Sequence, residues 1–380
     1  MGIVKVDLCA RILPDDHKCY FVFPGRGYKY FDFMMENGVV FIDLPNLPNE
    51  LFLGKGEEED NIEREQLIRN GVVRSILYRR WIGIADNISF EEYYAANFER
   101  ACQQSRTINS YIGFLNNIYL KIDKGSLFIL PAPSISGDVM IGEFLDEPSI
   151  VENIESPELP GVVYTVRRVK WLRRIEKYKL NGEILRRIAS PNPVRLIEKS
   201  LYKYIYDIAY GQYKYRDHYC IRIDTDSVVF GFSDNLILNL FIIDSIRHSA
   251  EVANYGFDFG ESKFSMGNIE RLEGLLEQRI TINSPGSIII SAKSVIPFII
   301  AVQFATCSAV AADSAVPDVV ITNSIQNDDV AKSCSIGLEE EVRAGMRMAG
   351  YDDWRDRCIK QRRLEIQGKM KTQTRGIVMK

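Results

Sequence analysis

The order of apolar and polar residues along the first half of the chain predicts alternating strands and helices. Short apolar runs bounded by turn residues predict strands at Cys19–Phe23, Val39–Leu44, Ser126–Pro131, Val139–Phe144 and Gly161–Leu172. Apolar residues at helical spacing predict helices at Tyr28–Asn37, Asn61–Trp81, Ser89–Gln104 and Asn109–Leu120. Because Gly137-Asp138 separates two of the strands, those strands are predicted to pair as a β-hairpin.

Past Tyr210 the pattern changes. Cys220–Phe232 alternates as strands do, and apolar periodicity predicts helices at Asn235–His248, Asn268–Gln278 and Ser335–Met370. The polar stretch GQYKYRDH follows the last element of the first pattern, so we predict two domains, 1–212 and 213–380. The predicted fold class is α+β, with a mixed α/β second domain that ends in a long helix.

Charge is distributed unevenly along a chain of ordinary globular composition. The protein has 380 residues and a formal net charge of −4, which argues against a disordered or fibrous chain. The segment Gly161–Arg216 carries fourteen Lys/Arg against four Asp/Glu, a net charge of +10, and it also contains eight Tyr and Trp171. Bases interleaved with aromatic residues suit phosphate neutralisation and base stacking, although a solvated charged face is the alternative.

Several kinds of chemistry are disfavoured by what the sequence lacks. Seven Cys without a CxxC pair, together with only three His, argue against a zinc site. The P-loop, GxGxxG and GxSxG motifs are absent, so no cofactor and no metal are predicted. The N-terminal sequence has no apolar run followed by a cleavage signal, which predicts a cytoplasmic protein.

Four motifs in the first half resemble a known family in their order and spacing. They are, in order, the helix ending in FLNNIYLKI, Gly125–Pro131, Ile141-Gly142-Glu143 and the run from Arg167 to Trp171 (RRVKW), and the earlier Glu36–Leu44 is also similar to that family. Together they resemble the PUA-like, EVE-related domain found at the N-terminus of Mrr-type restriction proteins, over about Tyr20–Ile208; Ser126 stands where that family has Asp. The resemblance implies a small curved β-barrel with flanking helices, and a DNA partner whose modified base is flipped into a pocket.

Candidate nucleic-acid contacts lie on and after the strand Gly161–Leu172. Arginines there can pair with phosphates, and aromatic residues can stack on bases. The candidates are Tyr164, Arg167, Arg168, Trp171, Arg173 and Arg174. The alternatives stay open: Trp171 can instead fill the barrel core, and the arginines can form a solvated edge that keeps the strand from pairing.

Candidate catalytic residues are weaker. Asp224 and Asp226 lie two residues apart, and Glu261 and Lys263 follow downstream, a set that could hold Mg²⁺ in a nuclease. The alternative interpretation places the two aspartates in a turn between strands. Whether the protein is an enzyme stays open.

One apolar segment complicates the localisation. Residues 295–312 are eighteen residues without a charge, about 27 Å as a helix at 1.5 Å per residue. Association with the inner membrane through this segment is the alternative to a buried helix, and self-association through the second half is left open. The functional prediction is a DNA-binding sensor of modified or foreign DNA, in restriction or anti-phage defence, joined to an effector domain. The alternatives are a Mg²⁺-dependent nuclease and a membrane-associated defence effector.

Overall fold

The computed structural model describes residues 3–52, 60–82, 89, 106–133, 137–156, 159–188, 192–225, 233–236, 238–243, 276–281, 286–309, 318–324, 329–348 and 370–379. The chain divides into two compact units, and each is described by itself. The central unit is His17–Ile205. The terminal unit combines Met1–Asp16 with Tyr206–Lys380.

The architecture is mixed α+β, as the sequence pattern predicts. The strands within the described residues are β1 (Ile3–Asp7), β2 (Arg11–Leu13), β3 (Cys19–Val22), β4 (Val39–Val40), β5 (Leu127–Pro131), β6 (Asp138–Phe144), β7 (Glu152–Glu155), β8 (Val163–Glu176), β9 (Val194–Leu196), β10 (Gln212–Tyr215), β11 (His218–Thr225), β12 (Leu276–Thr281), β13 (Gly286–Ala292), β14 (Asp318–Thr322), β15 (Met370–Thr372) and β16 (Arg375–Met379). Among the described residues, α-helices with defined bounds are α1 (Phe31–Asn37), α2 (Asp60–Trp81), α3 (Arg106–Leu115), α4 (Gly182–Ile188), α5 (Tyr202–Ala209), α6 (Ile296–Ala309) and α7 (Asp329–Met348), and residues 233–236 and 238–243 are also helical. Short 3-10 helices lie at Arg26–Tyr28, Asn49–Leu51, Lys177–Lys179 and Lys199–Leu201, and a π-helix lies at Asn116–Lys121.

The central unit is built on one curled sheet of seven strands. Its order is β4-β8-β6-β5-β3-β9, with β7 paired to β8. The pairs are antiparallel except β3 with β5, and β5 with β6 forms the predicted hairpin. The long strand β8 pairs with β4 and β7 through its first half and with β6 through its second half. β8 therefore joins β4 and β7 to β6, and it carries all six of the predicted contact residues.

A β-bulge bends β8 where it faces Gly142. The pairing shifts between Ile141 and Gly142, so that Ile141 lies opposite Arg173 while Gly142 lies opposite Trp171. A Cβ atom on Gly142 would come within 2.4 Å of the Phe128 ring. The close approach of that ring requires glycine, and the bulge increases the local twist of the strand. The Ile141-Gly142-Glu143 motif thus has a structural role in curling the sheet.

The described residues of the terminal unit form two sheets and include the most apolar helix of the described chain. β1 pairs in parallel with β14 and antiparallel with β16, while the second sheet has the order β12-β13-β11-β10-β2, with β15 also paired to β11. Helix α6 packs against strands of both sheets, and its Phe298, Ile300 and Val302 side chains are fully buried. The apolar segment predicted at 295–312 is therefore the core of this unit where the structure describes it.

Hydrogen bonds join the N-terminal residues Asp7 and Ala10 to the residues that follow β14 in the terminal unit. Asn323 accepts from the Ala10 N–H at 2.8 Å through Oδ1 and donates to the Ala10 carbonyl at 2.9 Å through Nδ2. The Asp7 carboxylate accepts from the Ser324 N–H at 3.0 Å. Because β1 pairs with β14 and β16, and β2 pairs with β10, residues 1–16 belong with the terminal unit and not with the rest of the predicted domain 1–212.

Three other predicted elements need correction. The helix predicted at Ser335–Met370 does not end the chain: α7 is Asp329–Met348, Met370 begins β15, and β16 completes the sheet beside β1. The end of the helix predicted at Asn268–Gln278 is strand, because β12 begins at Leu276 and pairs with β13. The strand predicted at Val39–Leu44 is limited to Val39–Val40. Residues 90–104 of the helix predicted after Ser89 lie outside the described residues.

No helix among the described residues combines the length and the apolar character that crossing a membrane requires. The longest apolar one, α6, has 14 residues.

Candidate nucleic-acid interface

Strand β8 passes from the core to the surface as it runs along the sheet. Tyr164, Val166 and Val169 in its first half are buried in the core. From Arg168 onwards cationic side chains reach the surface: the side chains of Arg168 and Arg174 are 58% and 68% exposed, and Lys170 is also exposed. The predicted contact residues are therefore divided between the interior and the surface.

Arg167 is a structural residue. Its side chain is fully buried, with the guanidinium 4.6 Å from the centre of the Phe144 ring. Nη1 donates to the carbonyl oxygens of Ile118 at 2.8 Å and Ile122 at 2.7 Å, and Nη2 donates to the carbonyl of Asp146. Burial lowers the pKa of Arg167 to about 10. The prediction that Arg167 contacts nucleic acid is wrong, because its side chain is fully buried and its Nη1 and Nη2 groups already donate to backbone carbonyls.

Tyr164 belongs to a buried polar chain. Its hydroxyl lies 2.7 Å from that of Tyr30, which donates to the Asp43 carboxylate at 3.0 Å. Since the Tyr30 proton goes to Asp43, Tyr164 must be the donor to Tyr30. Arg79 completes the chain with an ion pair to Asp43 at 2.8 Å. The Tyr164 ring also stacks on Phe41, with 4.6 Å between ring centres, so it offers no face to a base.

Burial also shifts the pKa values of two groups in this polar chain. It raises the pKa of the Asp43 carboxyl, and the nearby Arg79 guanidinium opposes that rise. Burial raises the pKa of the Tyr30 phenol as well, and the adjacent Asp43 charge adds to the effect. The chain thus joins α1, α2 and β8 through groups that cannot be removed singly without leaving a buried partner unsatisfied.

Trp171 packs at the border of the core. Its ring meets Phe128 edge to face with 5.4 Å between centres, and its Nε1–H donates to the Met35 carbonyl at 3.1 Å. Both contacts hold the indole against the interior of the sheet. Of the two interpretations of Trp171, packing is the one that these contacts support.

The remaining predicted cations differ in their partners. Arg168 forms an ion pair with Glu152 at 2.7 Å, and Arg174 forms one with Asp138 at 2.5 Å. Within the described part of the chain, Arg173 and Lys170 have no hydrogen bond or ion pair through their side chains. Lys170 was not among the predicted contacts, although the alternation along β8 places it on the face of Arg168. The bulge brings Arg173 to that face too, since residues directly opposite share a face and Lys170 pairs with Glu143 while Arg173 pairs with Ile141.

Tyr178, which the sequence pattern does not single out, lies in the 3-10 helix directly after β8. Its side chain is 68% exposed, and its hydroxyl donates to Glu176 at 2.7 Å. Lys179 pairs with the same carboxylate at 2.8 Å. The alternation of base and aromatic residue in KYK was the available signal, but it does not tell which of the side chains is exposed.

The predicted catalytic set is only partly described. Asp224 lies within β11 opposite Ser287, so the interpretation that places it in a turn is wrong. Its carboxylate pairs with Arg222 at 2.6 Å, two residues earlier on the same face of the strand. Asp226, Glu261 and Lys263 lie outside the described residues. Across the described ranges no group of three or more His, Cys, Asp and Glu side chains is placed to hold a metal ion.

The chain matches no protein-family model, no curated protein and no solved structure. The site therefore has to be interpreted from its own chemistry. Exposed guanidinium and ammonium groups along one strand, with a phenol ring at its end, are groups that bind phosphates and aromatic bases.

Proposed function

We propose that the central unit binds DNA through the cations that β8 brings to the surface. We further propose that the protein is a sensor of modified or foreign DNA in restriction or anti-phage defence, with the terminal unit as its effector or assembly part. The observation that carries the proposal is the exposure of Arg168, Lys170 and Arg174 on one strand, within a segment of net charge +10. Such local positive charge in a chain of net charge −4 suits a polyanionic partner.

The sensor part of the proposal rests on the resemblance to PUA-like, EVE-related domains. The curled sheet of the central unit is compatible with the small barrel of that family. Two glycines of the shared motifs lie where the backbone bends: Gly125 lies in a turn with a φ of 80°, and Gly142 lies opposite the β-bulge. Tyr164 and Trp171 are engaged inside the unit, so the group that would receive a flipped base is assigned to neither of them. Recognition of a modified base is therefore proposed from the resemblance alone, and binding of modified DNA tests it directly.

Binding assays with matched nucleic acids test the proposal. The purified full chain is titrated into fluorescent duplex DNA of one sequence, unmodified or carrying modified cytosine, and into the RNA duplex of the same sequence. We expect DNA binding that weakens steeply as salt rises, and tighter binding to one of the modified duplexes. Absence of binding to any duplex at about 50 mM salt, where phosphate contacts are strongest, would contradict the proposal. Equal affinity for modified and unmodified DNA would leave DNA binding and remove the sensor role.

A further inference from the structure

Tyr178 presents an aromatic ring to solvent at the end of the basic strand. Its side chain is more exposed than any other large apolar or aromatic side chain in the part of the chain that the structure describes. It belongs to the 3-10 helix Lys177–Lys179, which follows β8 directly. Exposed aromatic rings beside basic side chains are the groups on which unpaired bases stack.

The turn that carries Tyr178 is held firmly by its neighbour Lys177. The Lys177 backbone N–H donates to the Gly137 carbonyl at 3.1 Å, and its Nζ donates to the Ala132 carbonyl at 2.7 Å. The Lys177 ammonium also lies 5.5 Å from the centre of the Tyr28 ring. Because Lys177 is buried in these contacts, the backbone at Tyr178 is fixed against the β5–β6 hairpin.

The ring itself is oriented by a carboxylate. Glu176 accepts a hydrogen bond from the Tyr178 hydroxyl at 2.7 Å and pairs with Lys179 at 2.8 Å. The Lys179 ammonium lies 5.6 Å from the centre of the Tyr178 ring. A ring that is already oriented loses less conformational entropy when a flat ligand stacks on it.

The charge around the ring favours an anionic ligand. Arg174, Lys177 and Lys179 are three cations, and Glu176 and Asp138 are the two carboxylates paired with members of this group, so the local net charge is +1. A neutral aromatic ligand would gain nothing from this charge. A nucleobase joined to phosphates would gain from both the ring and the cations.

We propose that Tyr178 is a stacking platform for an unpaired nucleobase, with Arg174 and Lys179 contacting the flanking phosphates. This inference rests on the proposed nucleic-acid binding and adds the residue that receives the base. The ring is open on the surface, so stacking on it is tolerant of base identity. The ligand is either a base of a single strand or a base extruded from a duplex, because both present the same aromatic face.

The test compares strands that have bases with strands that lack them. Binding of the full chain is measured by fluorescence anisotropy with a thymidine 12-mer, an abasic strand of the same length, a paired duplex and the same duplex with one bulged base. The variants are Y178A, Y178F and Y204A; Tyr204 is a matched control because it is also an exposed tyrosine of the basic segment.

We expect Y178A to weaken binding to the thymidine strand about 5- to 100-fold, the range for loss of one base–aromatic stack. Y178F retains the ring and should keep most of the affinity, and Y204A should bind the thymidine strand as tightly as the wild-type protein does. On the abasic strand, all three variants should have the affinity of the wild-type protein. Loss on the bulged duplex as well identifies an extruded base as a ligand, and loss on the single strand alone identifies single-stranded nucleic acid.

Two results would overturn the inference, and they are distinguishable. If the wild-type protein binds and Y178A binds every probe equally well, the platform is refuted while nucleic-acid binding stands. If the wild-type protein binds no probe at low salt, the proposed function fails together with the platform.

Discussion

Arg167 and Arg168 are neighbours in the sequence, yet their side chains lie on opposite faces of β8 in opposite environments. The Arg167 guanidinium is fully buried and bound to three backbone carbonyls, whereas the Arg168 side chain is 58% exposed and pairs with Glu152. One arginine stabilises the fold, and the other is available at the surface. A substitution at either position therefore separates stability from binding.

Replacing Arg167 should destabilise the central unit strongly. Arg167→Met removes the donors of three backbone carbonyl groups, two of them in buried hydrogen bonds, so we expect the free energy of unfolding to fall by about 3–5 kcal/mol. The matched control is Arg168→Gln, which should leave stability nearly unchanged because solvent screens an exposed ion pair. Urea denaturation followed by circular dichroism measures both variants, and equal losses would contradict the assignment of Arg167 to the interior.

Alanine substitution at Gly142 and at Gly113 should change the stability of the protein in opposite directions. Gly142→Ala places a Cβ 2.4 Å from the Phe128 ring, and the resulting overpacking should cost about 1–3 kcal/mol of stability. Gly113 lies in α3, where a Cβ atom would have no neighbour within 4 Å, so Gly113→Ala should stabilise the protein by about 0.5–1 kcal/mol. Thermal unfolding of the two variants checks the signs. A tolerated alanine at position 142 would show that the bulge does not need glycine.

Trp171 should affect folding before it affects binding. Trp171→Ala removes the contact with Phe128 and the hydrogen bond to Met35, and we expect a loss of about 3 kcal/mol of stability. Trp171→Phe keeps an aromatic ring and should lose less. Chemical denaturation and DNA binding are measured on the same preparations. Lost binding with unchanged stability would instead assign Trp171 to base stacking.

The pH dependence of stability reports the buried Asp43. Burial raises its pKa above the ordinary value of 3.8, so the folded protein binds the proton more tightly than the unfolded chain does. Stability contributed by Asp43 should therefore fall as the pH rises from 3.8 through the pKa of the folded state, and then level off. Comparing urea denaturation of the wild-type protein with Asp43→Asn across this window isolates the effect. If the stability of the wild-type protein instead increases relative to that of Asp43→Asn as the pH rises, the raised pKa is contradicted.

The sequence predicts those features that are set by neighbouring residues. The β5–β6 hairpin follows from two apolar runs around Gly137-Asp138, and the end of α1 follows from Gly38, which adopts a left-handed conformation with φ of 62°. Periodicity likewise predicts α2 almost to its observed bounds, Asp60–Trp81. These elements depend on local backbone preference, which a single sequence contains.

Features set by distant residues could not be predicted. The first half of β8 is buried on both faces, so alternation does not tell that Arg167 is internal while Arg168 is exposed. The pairing of β1 with β14 joins residues more than 300 positions apart, so local pattern alone places residues 1–16 with the residues that follow them in sequence. The bulge that brings Arg173 to the face of Lys170 depends on Phe128 packing against Gly142. Each of these follows from tertiary contacts and not from local pattern.

The salt dependence of DNA binding tests the central claim most directly. A variant with glutamine at Arg168, Lys170, Arg173 and Arg174 is compared with one carrying the same change at four exposed cations that are not part of β8, Arg74, Arg106, Lys121 and Lys124. If each β8 cation contacts one phosphate, the slope of log K against log salt should decrease in magnitude by about 3–4 in the first variant. The control variant should keep the slope of the wild-type protein. An unchanged slope in the β8 variant, or equal changes in both, would contradict the proposal that β8 is the DNA-binding surface.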